Sequence, residues 1–108
     1  MFRIDTCSHQ SKSALRLDGE LTICQVIEAR TRLDAALDLD PALQLDLSGL
    51  EELDTAGVQL LVWLGQEADR RGKTLTLFAC SPAVLEIFDL LQVAPLFGAA
   101  LPSVPLPS

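Results

Sequence analysis

Basic residues are scarce in this chain: eight Lys and Arg stand against fifteen Asp and Glu, a formal net charge of −7 over 108 residues. A surface that binds nucleic acid needs clustered cations to displace counterions from phosphates. Here only Arg70-Arg71 are adjacent, with Lys73 nearby, so DNA and RNA are not expected partners. Cysteine is limited to Cys7, Cys24 and Cys80, an odd number without metal-type spacing. That pattern predicts reduced, partly buried thiols in a cytoplasmic protein. The one histidine, His9, falls in a stretch that reads as a loop, so no nucleophile has a base beside it. No apolar run reaches membrane-spanning length, and Met1-Phe2-Arg3-Ile4-Asp5 lacks the apolar core of a signal peptide. Gly49, Gly57 and Gly65 build no loop that could cradle a phosphate, and no Gly-Lys-Ser/Thr motif follows. The acidic Glu51, Glu52 and Asp54 lack the alternating oxygen ligands of a calcium loop. These absences predict a protein without catalytic residues, cofactor or metal.

What is present is a regular alternation of elements. Phe2 to Thr6 and Ala14 to Leu17 alternate as strands, and the polar Ser8 to Lys12 between them suits a hairpin. Asp18-Gly19-Glu20 is expected to end the second strand. Thr22 and Gln25 then form the Thr-x-x-Gln pattern of a capping box, which predicts a helix from there to Asp40-Pro41. Ile23, Val26, Ile27, Leu33 and Leu37 share one face of it, joined by the stem of Arg30, while Glu28 and Arg32 are spaced to pair on the far side. Leu43, Leu45 and Leu47 alternate with Gln44 and Asp46 as a third strand, which Ser48-Gly49 should break before an acidic loop.

A second helix opens at Asp54-Thr55 and runs to about Arg71, where Gly72 ends it. On a helical wheel Val58, Leu61, Leu64, Gly65 and Ala68 face inward; Thr55, Gln59, Val62, Trp63, Gln66 and Arg70 face outward. Trp63 is therefore either an anchor for a protein partner or a wedge against a neighbouring helix. Thr55 brings a hydroxyl to a helix N-terminus, where free N–H groups and the helix dipole favour negative charge; Asp54 or Thr55 would equally serve as a simple cap. Lys73 to Ala79 reads as a fourth strand with Leu75, Leu77 and Ala79 on one side. Ser81-Pro82 starts a third helix with Val84, Leu85, Phe88 and Leu91 buried. The order predicts one α/β domain over 1–98, a mixed sheet of four or five strands with helices mainly on one face. Three prolines in the last seven residues make 99–108 a flexible tail.

Asp46-Leu47-Ser48-Gly49-Leu50 through Asp54-Thr55-Ala56-Gly57-Val58 resembles the STAS family, named for sulphate transporters and anti-sigma factor antagonists. The resemblance runs from about Leu15 to Phe97 and takes in Gly19-Glu20-Leu21 and Ser81-Pro82-Ala83-Val84 with Phe88. It implies a small module that binds proteins and catalyses nothing. In the antagonist branch Asp54-Thr55 matches an Asp-Ser pair whose hydroxyl is phosphorylated by the partner, an anti-sigma factor and serine/threonine kinase of histidine-kinase-like fold. Phosphorylation ends binding, and a phosphatase resets it. Thr55 stands here in place of serine, and Ala56 in place of a frequent second serine. Another branch comprises accessory subunits of lipid-transporting ABC systems, docked on the ATPase, and similar modules accompany chemotaxis and two-component kinases. Either way the resemblance implies a partner-binding surface of Ser48, Asp54, Thr55, Ala56, Gly57, Gln59, Val62, Trp63 and Gln66.

Overall fold

Leucines at 43, 45, 47, 50 and 53 are all buried, and together they form the spine of the longest strand. The computed structural model describes residues 2–9 and 12–91, with residues 8, 9, 12 and 13 given through the backbone alone. The predicted tail over 99–108 lies outside the described residues. Strands β1 (Arg3–His9), β2 (Lys12–Leu21), β3 (Ala42–Leu53) and β4 (Thr74–Cys80) form one sheet in the order β1-β2-β3-β4. The β1–β2 pair is antiparallel; β2–β3 and β3–β4 are parallel. Helix α1 (Val26–Leu39) links β2 to β3, α2 (Thr55–Arg70) links β3 to β4, and α3 (Pro82–Leu91) follows β4. Leucines of the sheet, Ala29, Leu33 and Leu37 of α1, Val58, Leu61 and Leu64 of α2, and Val84 and Phe88 of α3 form a single core. The mixed sheet with helices on one face is thus present, with four strands. No helix among the described residues is long and apolar enough to cross a membrane.

Several expectations give way to tertiary structure. Ser48-Gly49 does not break β3, and Asp18-Gly19-Glu20 does not end β2, because the two strands stay paired to Leu53 and Leu21 through register shifts. Two β3 residues, Leu47 and Ser48, oppose the single Leu17, and this bulge moves the buried spacing from two to three. A Cβ on Gly49 at this bulge would lie 1.8 Å from Asp18 Oδ1 and 3.1 Å from the Leu17 carbonyl, so the Asp18 side chain would have to move aside. A further shift, with Leu45 opposite Leu77 but Asp46 opposite Ala79, takes Ala79 out of the Leu75–Leu77 row into partial exposure.

In α1 the capping box forms one turn too early. The Gln25 side chain accepts from the Thr22 N–H at 3.0 Å and the Thr22 hydroxyl at 2.6 Å, but these residues make a turn, and the helix begins at Val26. The buried stripe is Ala29, Leu33 and Leu37 with Val26 and Ala36 beside it; Ile23 and Ile27 are 67 % and 81 % exposed, and Arg30 too lies outside. Arg32 donates to the Ile4 carbonyl at 3.3 Å instead of pairing with Glu28. In α2 the buried set gains Gly57 and Leu60, and Gly65 is only half-buried. The helix ends as predicted: Gly72 (φ 70°) donates to Asp69, and Lys73 donates back to Ala68 at 2.8 Å. In α3 the Ser81 hydroxyl caps the Val84 N–H at 3.2 Å. Leu85 and Leu91 are 47 % and 39 % exposed, because the helix rests chiefly on β3 and one sheet face accepts only the Val84–Phe88 stripe.

Candidate functional site

The parallel strands carry the chain to one edge of the sheet, where each helix begins. At the end of β3, Asp54 has an extended backbone and caps α2. One carboxylate oxygen accepts the Gly57 N–H at 2.9 Å, satisfying one of the free donors of the first turn. The other accepts the Ile23 N–H, also at 2.9 Å, from the turn before α1. The Asp54 N–H completes the junction by donating to the Leu21 carbonyl at 3.4 Å. Three segments are thereby held together at one residue. Gly57 is buried where α2 presses on this junction, and a Cβ there would meet the Leu21 carbonyl at 2.3 Å.

Thr55 follows in the first turn and is exposed, and its hydroxyl has no hydrogen-bond partner among the described residues. Capping is thus performed by Asp54. Along the same helix Gln59 and Gln66 are exposed, Ala56 is half-buried, and Val62 and Trp63 are half-buried against the core. The Arg30 guanidinium sits over the Trp63 ring, 4.4 Å from its centroid, and covers part of it. Trp63 therefore helps join α1 to α2 while keeping an open edge. The structure brings Asp54, Thr55, Ala56, Gly57, Gln59, Val62, Trp63 and Gln66 onto one helix, but holds Ser48 apart. Ser48 lies within β3, its hydroxyl and N–H both donating to Asp46 Oδ1 at 2.5 and 2.9 Å.

A groove between α1 and α2 begins beside this face and is lined by Ile27, Arg30, Thr31, Asp34, Trp63, Glu67 and Arg71. At its far end Arg71 donates to Asp34 at 2.5 Å and Glu67 at 3.2 Å, and Arg70 pairs with Glu67 as well. Hydrogen bonds from Arg70 and then Arg71 hold the Glu67 carboxyl below the usual range. Ile23 and Ile27 escaped sequence reasoning because the stripe that packs on the core centres on Ala29, Leu33 and Leu37, which leaves Ile27 to one side, while Ile23 falls in the turn before the helix. The thiols Cys7, Cys24 and Cys80 are free. Burial, with Asp46 nearby, pushes Cys80 up from 9.0 to about 11, so it is a poor nucleophile at neutral pH. Among the described residues no group of His, Cys, Asp and Glu is placed to hold a metal ion.

A four-stranded mixed sheet with three helices, the second capped by Asp54 and carrying Thr55 in its first turn, defines a small α/β module among the described residues. The chain belongs to the STAS domain family: the family described as "Mlab, STAS domain" matches residues 4–98. Solved structures share the fold. An anti-sigma factor antagonist from Mycobacterium paratuberculosis is 21 % identical, covering 97 % of this chain and 88 % of that one with a TM-score of 0.78. The anti-sigma factor antagonist SpoIIAA in its unphosphorylated form is 22 % identical (88 % and 84 % covered, TM-score 0.67). The Bacillus cell fate determinant SpoIIAA in the phosphorylated form is 21 % identical (88 % and 86 % covered, TM-score 0.63). No curated protein matches the chain.

Proposed function

We propose that this chain is an anti-sigma factor antagonist, a non-enzymatic cytoplasmic module that binds its partner through the N-terminal face of α2 and is switched at Thr55. The observation that carries the reading is the exposed, unbonded Thr55 hydroxyl in the first turn of α2. The partner would be an anti-sigma factor that is also a serine/threonine kinase. In the modifying step the Thr55 Oγ1–phosphorus bond forms as the bond from ATP's γ-phosphorus to its bridging oxygen breaks. ADP leaves, and the hydroxyl proton passes to a base of the kinase. The product gains a charge of about −1.5 to −2 next to Glu51, Glu52 and Asp54. The free N–H groups of the first turn can receive it, so the fold need not move. What changes is the face: a doubly charged group is costly to desolvate, and the complex is lost. That a protein of the same fold is described in both phosphorylated and unphosphorylated forms supports this reading.

Incubation with the kinase and ATP, followed by mass mapping, is expected to place one phosphate on Thr55 and none on a Thr55→Ala variant. Failure of an active kinase to modify Thr55 would retire the switch. A second reading is favoured by the Asp54-Thr55-Ala56-Gly57 run, which has threonine and no second serine: an accessory subunit of an ABC lipid-transport complex. The chain would then copurify with the ATPase, and Thr55→Ala would weaken assembly without any phosphate.

A further inference from the structure

We propose that the docking face extends past α2 onto Ile23 and Ile27, and that the partner it fits presents an apolar centre edged by lysines or arginines. This rests on the reading that partners bind at the N-terminal face of α2. A single exposed isoleucine is ordinary, but here two stand four residues apart, each more than two-thirds exposed. The Asp54 carboxylate fixes Ile23 beside the first turn of α2, and Ile27 meets Trp63 across a groove of about 470 Å³. Ile23 and Ile27 on one side, with Thr55, Gln59 and Trp63 on the other, therefore form one patch in which exposed aliphatic surface adjoins the Trp63 ring and the Arg30 guanidinium laid over it.

Charge identifies the occupant. Glu28, Glu51 and Glu52 are exposed at this end and make no ion pair among the described residues. Against these three acids one cation lies on the patch, Arg30 over the Trp63 ring, so its balance stays negative. Arg32 donates to the Ile4 carbonyl, and the other described cations are engaged elsewhere. Arg70 and Arg71 pair with Glu67 and Asp34 at the opposite end of α2, roughly 22 Å from Thr55 by helical rise, and the Lys73 Nζ donates to the Leu37 and Asp38 carbonyls there. Arg3 and Arg16 pair with Asp5, Asp18 and Asp46 on the sheet. An apolar patch rimmed by unpaired acids selects a partner of opposite rim charge. It also disfavours a second copy of this chain, whose identical acids would face these.

The test places a photo-crosslinking benzoylphenylalanine at Gln59, at Ile27, or at Leu85 on α3, in the full chain expressed in its own cells, and sequences the trapped peptides. Gln59 and Ile27 are expected to trap the same protein, at an apolar segment flanked by Lys or Arg, and Leu85 is not. With that protein purified, Ile27→Asp and the pair Glu51→Lys with Glu52→Lys should each weaken Kd about tenfold at unchanged Tm. Capture from Gln59 but not Ile27, an acidic trapped segment, a trapped second copy, or unchanged affinities would each overturn the inference while leaving α2 as the docking helix. A Gln59 probe that traps nothing would remove both.

Discussion

Asp54 uses both carboxylate oxygens, one on α2 and one on the turn before α1, and this makes its replacements informative. Asparagine keeps one acceptor for the Gly57 N–H but opposes the Ile23 N–H with an amide donor. Asp54→Asn is therefore expected to lose about 1 kcal/mol and Asp54→Ala about 2 kcal/mol, read by equilibrium urea unfolding. An asparagine variant as stable as the parent would mean that the Ile23 tether adds nothing. Cys80 makes a second prediction, through pH. Its thiol is raised to about 11 in the folded chain, against an ordinary 9.0, so between those values the folded state keeps a proton that the unfolded state releases. The contribution is whole below pH 9 and fades as pH climbs toward 11. Thermal melts should fall across that window, and the fall should be shallower in Cys80→Ala. Alkylation at neutral pH should reach the exposed Cys24 well before Cys80.

At the level of elements, what was legible in the sequence is what repeats within one segment. The alternating leucines of β3, the Gly72 stop and the Ser81 cap each depend on neighbours a few residues away, and each is where its pattern puts it. Bulges depend on which strand lies alongside, so the extension of β2 and β3 past their glycines had no local sign. In α1 the Gln25 side chain reaches back to the Thr22 N–H as in a capping box, but the Thr22 hydroxyl donates to the same oxygen instead of accepting an N–H, and regular helix starts at Val26. Ile23 lies in the turn before it, and Ile27 is exposed because the sheet takes up the Ala29–Leu33–Leu37 stripe of α1. Thr55 and the α2 face were readable because an N-cap and a helical period suffice to place them. The packing of α2 on the end of β2 yields a test of its own. Alanine at Gly57 would be the better helix former by about 1 kcal/mol, but its Cβ would fall 2.3 Å from the Leu21 carbonyl, a backbone atom that cannot step aside. Gly57→Ala is expected to destabilise by about 1–3 kcal/mol in urea. A stabilised variant would mean that α2 can lift off the junction freely.

Across the whole molecule, charge is divided along α2: unpaired acids at its N-terminal end and the Arg70, Arg71 and Lys73 group at its C-terminal end. A net charge of −7 adds a long-range field that favours encounter with a basic surface and slows approach to an acidic one. New negative charge at Thr55 then acts in two opposed ways. Within the domain it is tolerated, because the helix dipole favours an anion in the first turn by about 0.3–1 kcal/mol, offsetting repulsion from Glu51 and Glu52. Toward a partner it acts at contact range, where a carboxylate must be desolvated beside the apolar patch. Thr55→Glu should therefore leave the thermal midpoint nearly unchanged and weaken partner binding about tenfold or more, chiefly through faster dissociation. Calorimetry of the isolated variant and surface-plasmon measurement with the partner read the two effects separately. A lowered midpoint with equal loss of binding would point to damage at the Asp54 junction, and binding of parental strength would show that the hydroxyl stands outside the contact.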